Sequence, residues 1–275
     1  MPDQVLCRVH GPDGGRRVSC PADSLAEAAR FEPAAGVYTV DRTYPGGKVV
    51  ALDRHFDRLE GSARAEGMLL RVDRAALRTL LREMLDESGF DLARFRLSVA
   101  EDRPDEVRIT MERFRPVPLE VRSKGVRCVR VGSHRYHPQS KTLGWMHGRE
   151  ALPESVYEGL LSSSAGEILE GLSSNFFAIT ADTLRTAGDE VLFGMARGVV
   201  LQIAPAIVAV ALRAISWDEI TQCQESFLTS STRGIIPIVR IDDRQIGNGT
   251  PGPRTLELAR VYESWITAHL EDLTA

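Results

Sequence analysis

No run of this 275-residue chain approaches the ~18 consecutive apolar residues that a membrane-spanning helix needs, and its start, MPDQVLCRVHGPDGG, lacks a basic region followed by an apolar one. The expectation is a soluble, cytoplasmic protein. An excess of positive charge is missing too. The formal net charge is −4 and the pI near 5.9, so the basic face or tail that a nucleic acid or an anionic membrane would require is not written into the composition. Small molecules are the better expectation for partners. Cysteines are few and scattered: Cys7, Cys20, Cys128 and Cys223 form no C-x-x-C pair, which argues against a zinc site or a disulfide framework and agrees with a reducing compartment. The six histidines show no metal-ligand spacing, and no metal is expected. Internal repeats and low-complexity tracts are absent.

What is present is an ordinary globular composition, 43% hydrophobic and 26% charged, enough for one large domain or two small ones. "VLCRVHGPDGGRRVS" and "GVYTVDRTYPGGKVVAL" alternate polar and apolar residues around Gly/Pro turns and read as hairpins. "DRHFDRLEGSARAEGM" places Phe56, Leu59 and Ala63 at helical spacing with Asp53 as N-cap, and "DRAALRTLLREMLDES" gathers Leu77, Leu80, Leu81 and Met84 on one helical face. "FRLSVA", "EVRITMERF" and "LEVRSKGVRCVRV" read as strands. The Pro-interrupted "RFRPVPLEVRSKG" marks a boundary, giving an N-terminal α+β domain over 1–117 and a C-terminal domain over 118–275. In the latter, "EILEGLSSNFFAIT" reads as a strand, "LRTAGDEVLF" as a short hairpin, and "GMARGVVLQIA" as a turn opening a helix. Ser216 and Glu219 have capping-box spacing, "SFLTSSTRGIIPIVRID" reads as strand, polar turn and strand, and the chain closes on an amphipathic helix.

Inside the strand "EILEGLSSNFFAI", Glu170 and Asn175 are out of place, because an unpartnered ionised carboxylate in an apolar layer is strongly disfavoured. Glu170 should have a partner. Three further segments carry anion-binding chemistry: "LFGMARGVV", where Gly leads into a helix start with free N–H groups; "LTSSTRG", a turn rich in hydroxyls; and "RHFDRLEGSA", which sets Arg58 one turn after Arg54. Taken singly, each is more often an ordinary turn, loop or surface helix.

Their order changes the balance. "RHFDRL", "SKTLGW", "EILEGLSSNFF", "VLFGMARG" and "FLTSSTRGIIPI", in that succession, resemble the class IV aminotransferases. These are fold type IV pyridoxal phosphate enzymes that include branched-chain and D-amino acid aminotransferases and aminodeoxychorismate lyase. The resemblance implies an α+β, two-domain fold: a small N-terminal α/β sandwich and a larger C-terminal pseudo-barrel. It implies pyridoxal 5′-phosphate as cofactor and a homodimer. The Schiff-base lysine falls on Lys141. Glu170 would pair with the protonated pyridine nitrogen, which answers the question that its position raises. Arg58, the backbone N–H groups of Met195 and Ala196, and Ser231 would hold the phosphate, and Leu192 the ring face. Tyr38 would line the substrate pocket, and the amides of Ser231 and Thr232 would meet the α-carboxylate. Arg96, Arg135 and Arg149 are further carboxylate candidates, though residues of this kind are more often ordinary surface or ion-pair residues.

The chain departs from the family pattern at three places. G-I-T-R becomes G-M-A-R, losing a hydroxyl at Ala196; Met146 stands where branched-chain members carry a Tyr five residues after the lysine; and "VAEDRP" is acidic where D-amino acid enzymes carry an Arg. The expected activity is transfer of an amino group from an amino acid, L-branched-chain or D, to a 2-oxo acid. Aminodeoxychorismate lyase, or a non-catalytic phosphate-binding protein of the same fold, are the alternatives.

Overall fold

The structure is a computed structural model that describes residues 5–275. The chain divides into two compact units. The first contains the chain up to Arg115 together with Ser140–Gly148 and Ala268–Ala275; the second contains Pro116–Gln139 and Arg149–Thr267. Two later segments of the chain thus return to the first unit.

In the first unit, strands β1 (Leu6–Gly11), β2 (Gly14–Arg17), β3 (Gly36–Arg42), β5 (Ala93–Ala100) and β6 (Arg103–Arg113) form an antiparallel sheet in the order β2-β1-β6-β5-β3, while β4 (Lys48–Val50) lies outside it. Period-2 alternation turns Phe95, Leu97 and Val99 of β5 and Val107, Ile109 and Met111 of β6 to one face, where helices Leu52–Ala65 and Arg74–Ser88 cover them. The helical stripes read from the sequence are the ones buried: Phe56, Leu59, Ala63, Leu77, Leu81 and Met84 are all 0% exposed.

Two expectations fail here. Asp53 is not the N-cap of its helix. That position is Ala51, held at φ 50°, and the free Leu52 N–H is received by the Glu271 carboxylate 3.2 Å away, a partner supplied from the C-terminus. The segment around Pro45-Gly46-Gly47 is a turn with one bridge, Tyr44 to Lys48. It is not a full hairpin, because β4 pairs with the C-terminal strand Leu270–Asp272 and β3 with β5.

The second unit is a sheet that closes on itself. Strands β7 (Val126–Arg130), β8 (Glu158–Ser162), β9 (Glu167–Gly171), β10 (Asn175–Thr180), β14 (Glu225–Ser230) and β15 (Gly234–Ile241) run β10-β14-β15-β7-β8-β9, and a last pairing of Asn175 with Glu170 joins β9 back to β10. Closure removes exposed strand edges. The shorter strands β11 (Thr183–Arg185), β12 (Ala209–Ala211), β13 (Ile215–Ser216) and β16 (Arg244–Gln245) extend the sheet from this ring. Val126, Cys128, Leu160, Ile168, Phe176, Leu228, Ile236 and Ile238 pack as one apolar cluster, and Phe177 stacks on Phe227 across the β10/β14 pair at 4.9 Å.

Leu119–Lys124, expected as a strand, is a helix between Pro118 and Gly125, with Lys124 and Glu120 paired one turn apart. Its β-prone Val121 is outweighed by the bracketing Pro and Gly. "LRTAGDEVLF" is not a hairpin either: β11 pairs with β10 and β12, and the chain at Val191–Leu192 is drawn off toward Glu170. The capping box is present, since Ser216 N–H donates to Glu219 Oε2 at 2.9 Å and Glu219 N–H to Ser216 Oγ at 3.2 Å. Among the described residues, no helix is long and apolar enough to cross a membrane.

Candidate active site

In the first unit, the returning segment Ser140–Gly148 docks along the edge of β3. Tyr38 N–H donates to the Lys141 carbonyl at 2.9 Å, Val37 and Thr142 form a bridge, and Lys141 N–H donates to Ser62 Oγ at 3.1 Å. Three backbone anchors thus fix a lysine that nothing in its own sequence neighbourhood marks out. Thr142 then caps the helix Leu143–His147 by accepting from Trp145 N–H. The Lys141 ammonium lies 4.7 Å from the centre of the Tyr38 ring, and Tyr38 is 2% exposed.

Arg58 is aimed by a cluster that sequence reasoning missed. Arg58 Nη2 donates to Thr39 Oγ1 at 2.7 Å and to His55 Nδ1 at 3.1 Å, and Thr39 Oγ1 lies 2.9 Å from the same nitrogen. Guanidinium can only donate, so Nδ1 must carry a lone pair, and the Thr39 hydroxyl accepts from Arg58 while donating to His55. His55 is held well below its ordinary pKa by burial and by the positive charges of Arg58 and Lys141. Its Nε2 faces Asp41 at 3.7 Å, and burial raises the Asp41 carboxyl to about 7. The signal available in the sequence was the H-x-x-R spacing, which puts both side chains on one helix face.

Arg96, expected at the substrate, points elsewhere. Its Nε donates to Glu32 Oε1 at 2.6 Å and its Nη2 to the Leu25 carbonyl at 2.9 Å, and both members of the ion pair are buried.

In the second unit, Glu170 is 2% exposed and both its oxygens are occupied. Arg135 Nη1 donates to Oε1 at 3.0 Å; Oε2 accepts from Asn175 Nδ2 at 3.2 Å and from Leu192 N–H at 3.0 Å. Asn175 also donates to the Leu192 carbonyl at 2.7 Å, so one amide side chain ties the closing strand pair to the Leu192 segment. Arg135, considered as a substrate-carboxylate group, is thus spent on a protein carboxylate. Arg149 is half-buried, and His134 stacks edge-on against Tyr136 at 5.2 Å.

Two residues after Leu192 comes Gly194, where a Cβ would sit 2.2 Å from Asn175 Oδ1; only glycine permits this approach. Gly194 is the N-cap of helix Met195–Ile203 and offers no side-chain cap, so the first-turn N–H groups of Met195 and Ala196 keep their donor capacity at the positive end of the helix. Across the strands, the turn after β14 carries half-buried Ser231 and Thr232, and Ser230 Oγ accepts from Arg233 N–H and Nε. Thr229, paired with Asn175 in the sheet, is 1% exposed and its Oγ1 has no hydrogen-bond partner. A buried polar atom left open beside Glu170 and a helix start is what a polar ligand site displays.

The amino-transferase class IV family profile matches residues 36–241. The chain belongs to the class IV aminotransferases. This aminotransferase is 28% identical over 269 residues to a D-alanine aminotransferase of Bacillus licheniformis, covering 91% of this chain and 93% of that one. It is 24% identical over 252 residues to a putative branched-chain-amino-acid aminotransferase of Methanocaldococcus jannaschii, covering 83% and 86%. Among solved structures, the branched-chain amino acid aminotransferase of Escherichia coli superposes with a TM-score of 0.77 at 18% identity, over 100% of both chains. That likeness establishes the fold type IV architecture of the aminotransferase, and the family is pyridoxal-phosphate-dependent.

Each unit by itself carries groups of the kind such a cofactor needs: in the first, a lysine held through its backbone and an aimed arginine; in the second, a buried carboxylate with its lone pairs organised and a glycine-opened helix start.

Proposed function

We propose that the aminotransferase acts on a small amino acid donor, L-branched-chain or D, with 2-oxoglutarate or pyruvate as acceptor, and that it works as a homodimer. The observation that carries the cofactor assignment is the Glu170 carboxylate, buried and held from Arg135, Asn175 and the Leu192 amide. A carboxylate so placed, oriented by three donors, is an acceptor for a protonated nitrogen opposite it. When bound, pyridoxal phosphate supplies an electron sink for bonds at the amino acid Cα.

The chain's own residues do the rest. In the first unit, the Lys141 amine would hold the cofactor and would move the proton at the amino acid Cα. Arg58, oriented by neutral His55 and Thr39, meets the phosphate as a bidentate donor. Tyr38 lines the substrate side. In the second unit, Met195 and Ala196 N–H groups and Ser231 hold phosphate oxygens, Leu192 supports the ring, and Thr232 N–H meets the substrate carboxylate. Arg96 reaches a substrate only by giving up Glu32, so it is assigned to the fold.

The test is borohydride reduction of the purified holoprotein followed by peptide mapping, with the cofactor mass expected on the peptide bearing Lys141. Mixing holoprotein with L- and D-amino acids one at a time, and following the visible absorbance, then names the donor. Pyruvate release from aminodeoxychorismate, with no amino acid of either hand converted, would overturn the aminotransferase reading in favour of the lyase. Light scattering that shows only monomer with full activity would overturn the dimer.

A further inference from the structure

Glu158 on β8 is a buried charge that the chemistry above does not use. It is 3% exposed and accepts from Ser173 Oγ at 2.7 Å, Ser174 Oγ at 3.1 Å and Arg233 Nη2 at 3.2 Å. Arg233 in turn donates to Ser173 Oγ at 2.8 Å and to the Ser173 carbonyl at 3.2 Å, and its Nε reaches back to Ser230 Oγ at 3.0 Å. The guanidinium lies 5.6 Å from the centre of the Tyr157 ring, and Arg122 secures the turn's far side by donating to the Arg233 carbonyl at 2.9 Å. Gly171, directly after Glu170, has to be glycine for this to form, since a Cβ there would lie 2.4 Å from Ser174 Oγ and 2.9 Å from Glu158 Cγ.

These contacts join two loops. Residues 172–174 link β9, which ends just past Glu170, to Asn175 at the start of β10. Residues 230–233 form the hydroxyl turn between β14 and β15. Without the brace, the two loops would lose these side-chain links to each other, and loop ends are the mobile part of a barrel. Arg suits the role better than Lys because its planar fork can address the carboxylate, a carbonyl and two hydroxyls at once.

We propose that Arg233 and Glu158 are positioning residues that fix the Ser231–Thr232 turn relative to Glu170, and so set the spacing between the group that receives the cofactor phosphate and the group that receives its ring nitrogen. The assignment rests on the roles given above to Glu170 and Ser231. It predicts that losing the pair weakens binding of the phosphate end specifically.

The experiment measures dissociation constants of the full-length apoprotein for pyridoxal 5′-phosphate and for pyridoxal, which lacks the phosphate, in wild type, Glu158→Gln, Arg233→Lys and the double variant. The 31P resonance of the bound phosphate is recorded alongside. Each single variant should raise the pyridoxal 5′-phosphate constant roughly tenfold or more, as expected for a lost charge-assisted contact. Pyridoxal should change less than about threefold, the double variant should be no worse than the poorer single one, and the 31P line should move. Equal weakening of both ligands, or unchanged pyridoxal 5′-phosphate affinity with a lowered melting temperature, overturns the proposal. Should the charge variants fail to fold, Ser230→Ala removes only the hydroxyl that accepts from Arg233, and the same phosphate-selective loss, smaller in size, is expected; no selectivity there overturns the proposal equally. Wild type that binds neither ligand would instead remove the parent reading of the site, an outcome recognisable before any variant is made.

Discussion

Arg96–Glu32 in the first unit and Arg135–Glu170 in the second are buried to nearly the same degree, with side-chain exposures of 6% and 0% against 8% and 3%. Their surroundings differ. Arg96 rises from the middle of β5 and also holds the Leu25 carbonyl, while Glu32 Oε1 accepts from Thr110 on β6, so the pair is locked between a sheet and the segment that covers it. Arg135 comes from a stretch with no strand or helix, and its carboxylate is organised on the other oxygen by an amide side chain and a backbone N–H. Equal burial therefore serves two ends. The first pair is locked into regular structure, whereas the second carboxylate, oriented by an amide and a backbone N–H, is the one that the proposed function sets against the cofactor's ring nitrogen.

The sharpest way to break this comparison is to neutralise each carboxylate. Glu32→Gln leaves Arg96 as a buried charge without its counter-ion and should cost about 3–5 kcal/mol of stability. In chemical denaturation the midpoint should fall, with the kcat of the remaining folded protein within about twofold of wild type. Glu170→Gln should differ in activity, lowering kcat by roughly two to three orders of magnitude with the cofactor retained. If both variants lose stability and keep activity, the two pairs are the same kind of feature and the contrast between them fails.

A third buried carboxylate, Asp41, sharpens the contrast because it faces a neutral imidazole and lacks a full ion pair. Burial raises its pKa from 3.8 to about 7, so the folded state takes up this proton before the unfolded state does. Its contribution favours folding at low pH and is lost as pH rises from about 4 through about 7. Asp41→Asn keeps an acceptor for His55 Nε2 without the charge. It should raise stability at pH 8 by on the order of 1–3 kcal/mol, with the melting curves of the two proteins converging near pH 4. A variant less stable than wild type at pH 8 would show that Asp41 is held ionised by a partner.

The smallest expected effect tests a feature away from the candidate site residues. Ser216→Ala removes one side of the capping box and should cost about 1 kcal/mol with no change in kcat. Any effect on turnover would mean that the β13 region communicates with the site.

Much of the fold is legible along the chain because period alone encodes it. Helical stripes such as Leu77, Leu81 and Met84 bury because every third or fourth residue shares a helix face, and Phe95, Leu97 and Val99 of β5 share one face because a strand's period is two. The motif order likewise gathers Glu170, the Gly194 helix start and the hydroxyl turn into one family pattern. Two of the errors came where a residue's partner is distant in sequence: Leu52, not Asp53, opens its helix against Glu271, and β4 pairs with the C-terminus. Local propensity has no term for a partner two hundred residues away.

The sequence by itself determined which residues could carry the chemistry, since a carboxylate in a strand, a glycine before a helix and an arginine beside a histidine are properties of side chains and short spacings. Only the tertiary structure decided what each of them does. Arg96 and Arg135 look alike in the sequence, yet one is sealed against Glu32 and the other set on Glu170; Asn175 becomes a clamp only because the barrel closes there; and Glu158 acquires a role only when two loops meet over it. The physical reason is that burial makes a charge dependent on its nearest neighbours, and those neighbours are chosen by how strands pair across the fold.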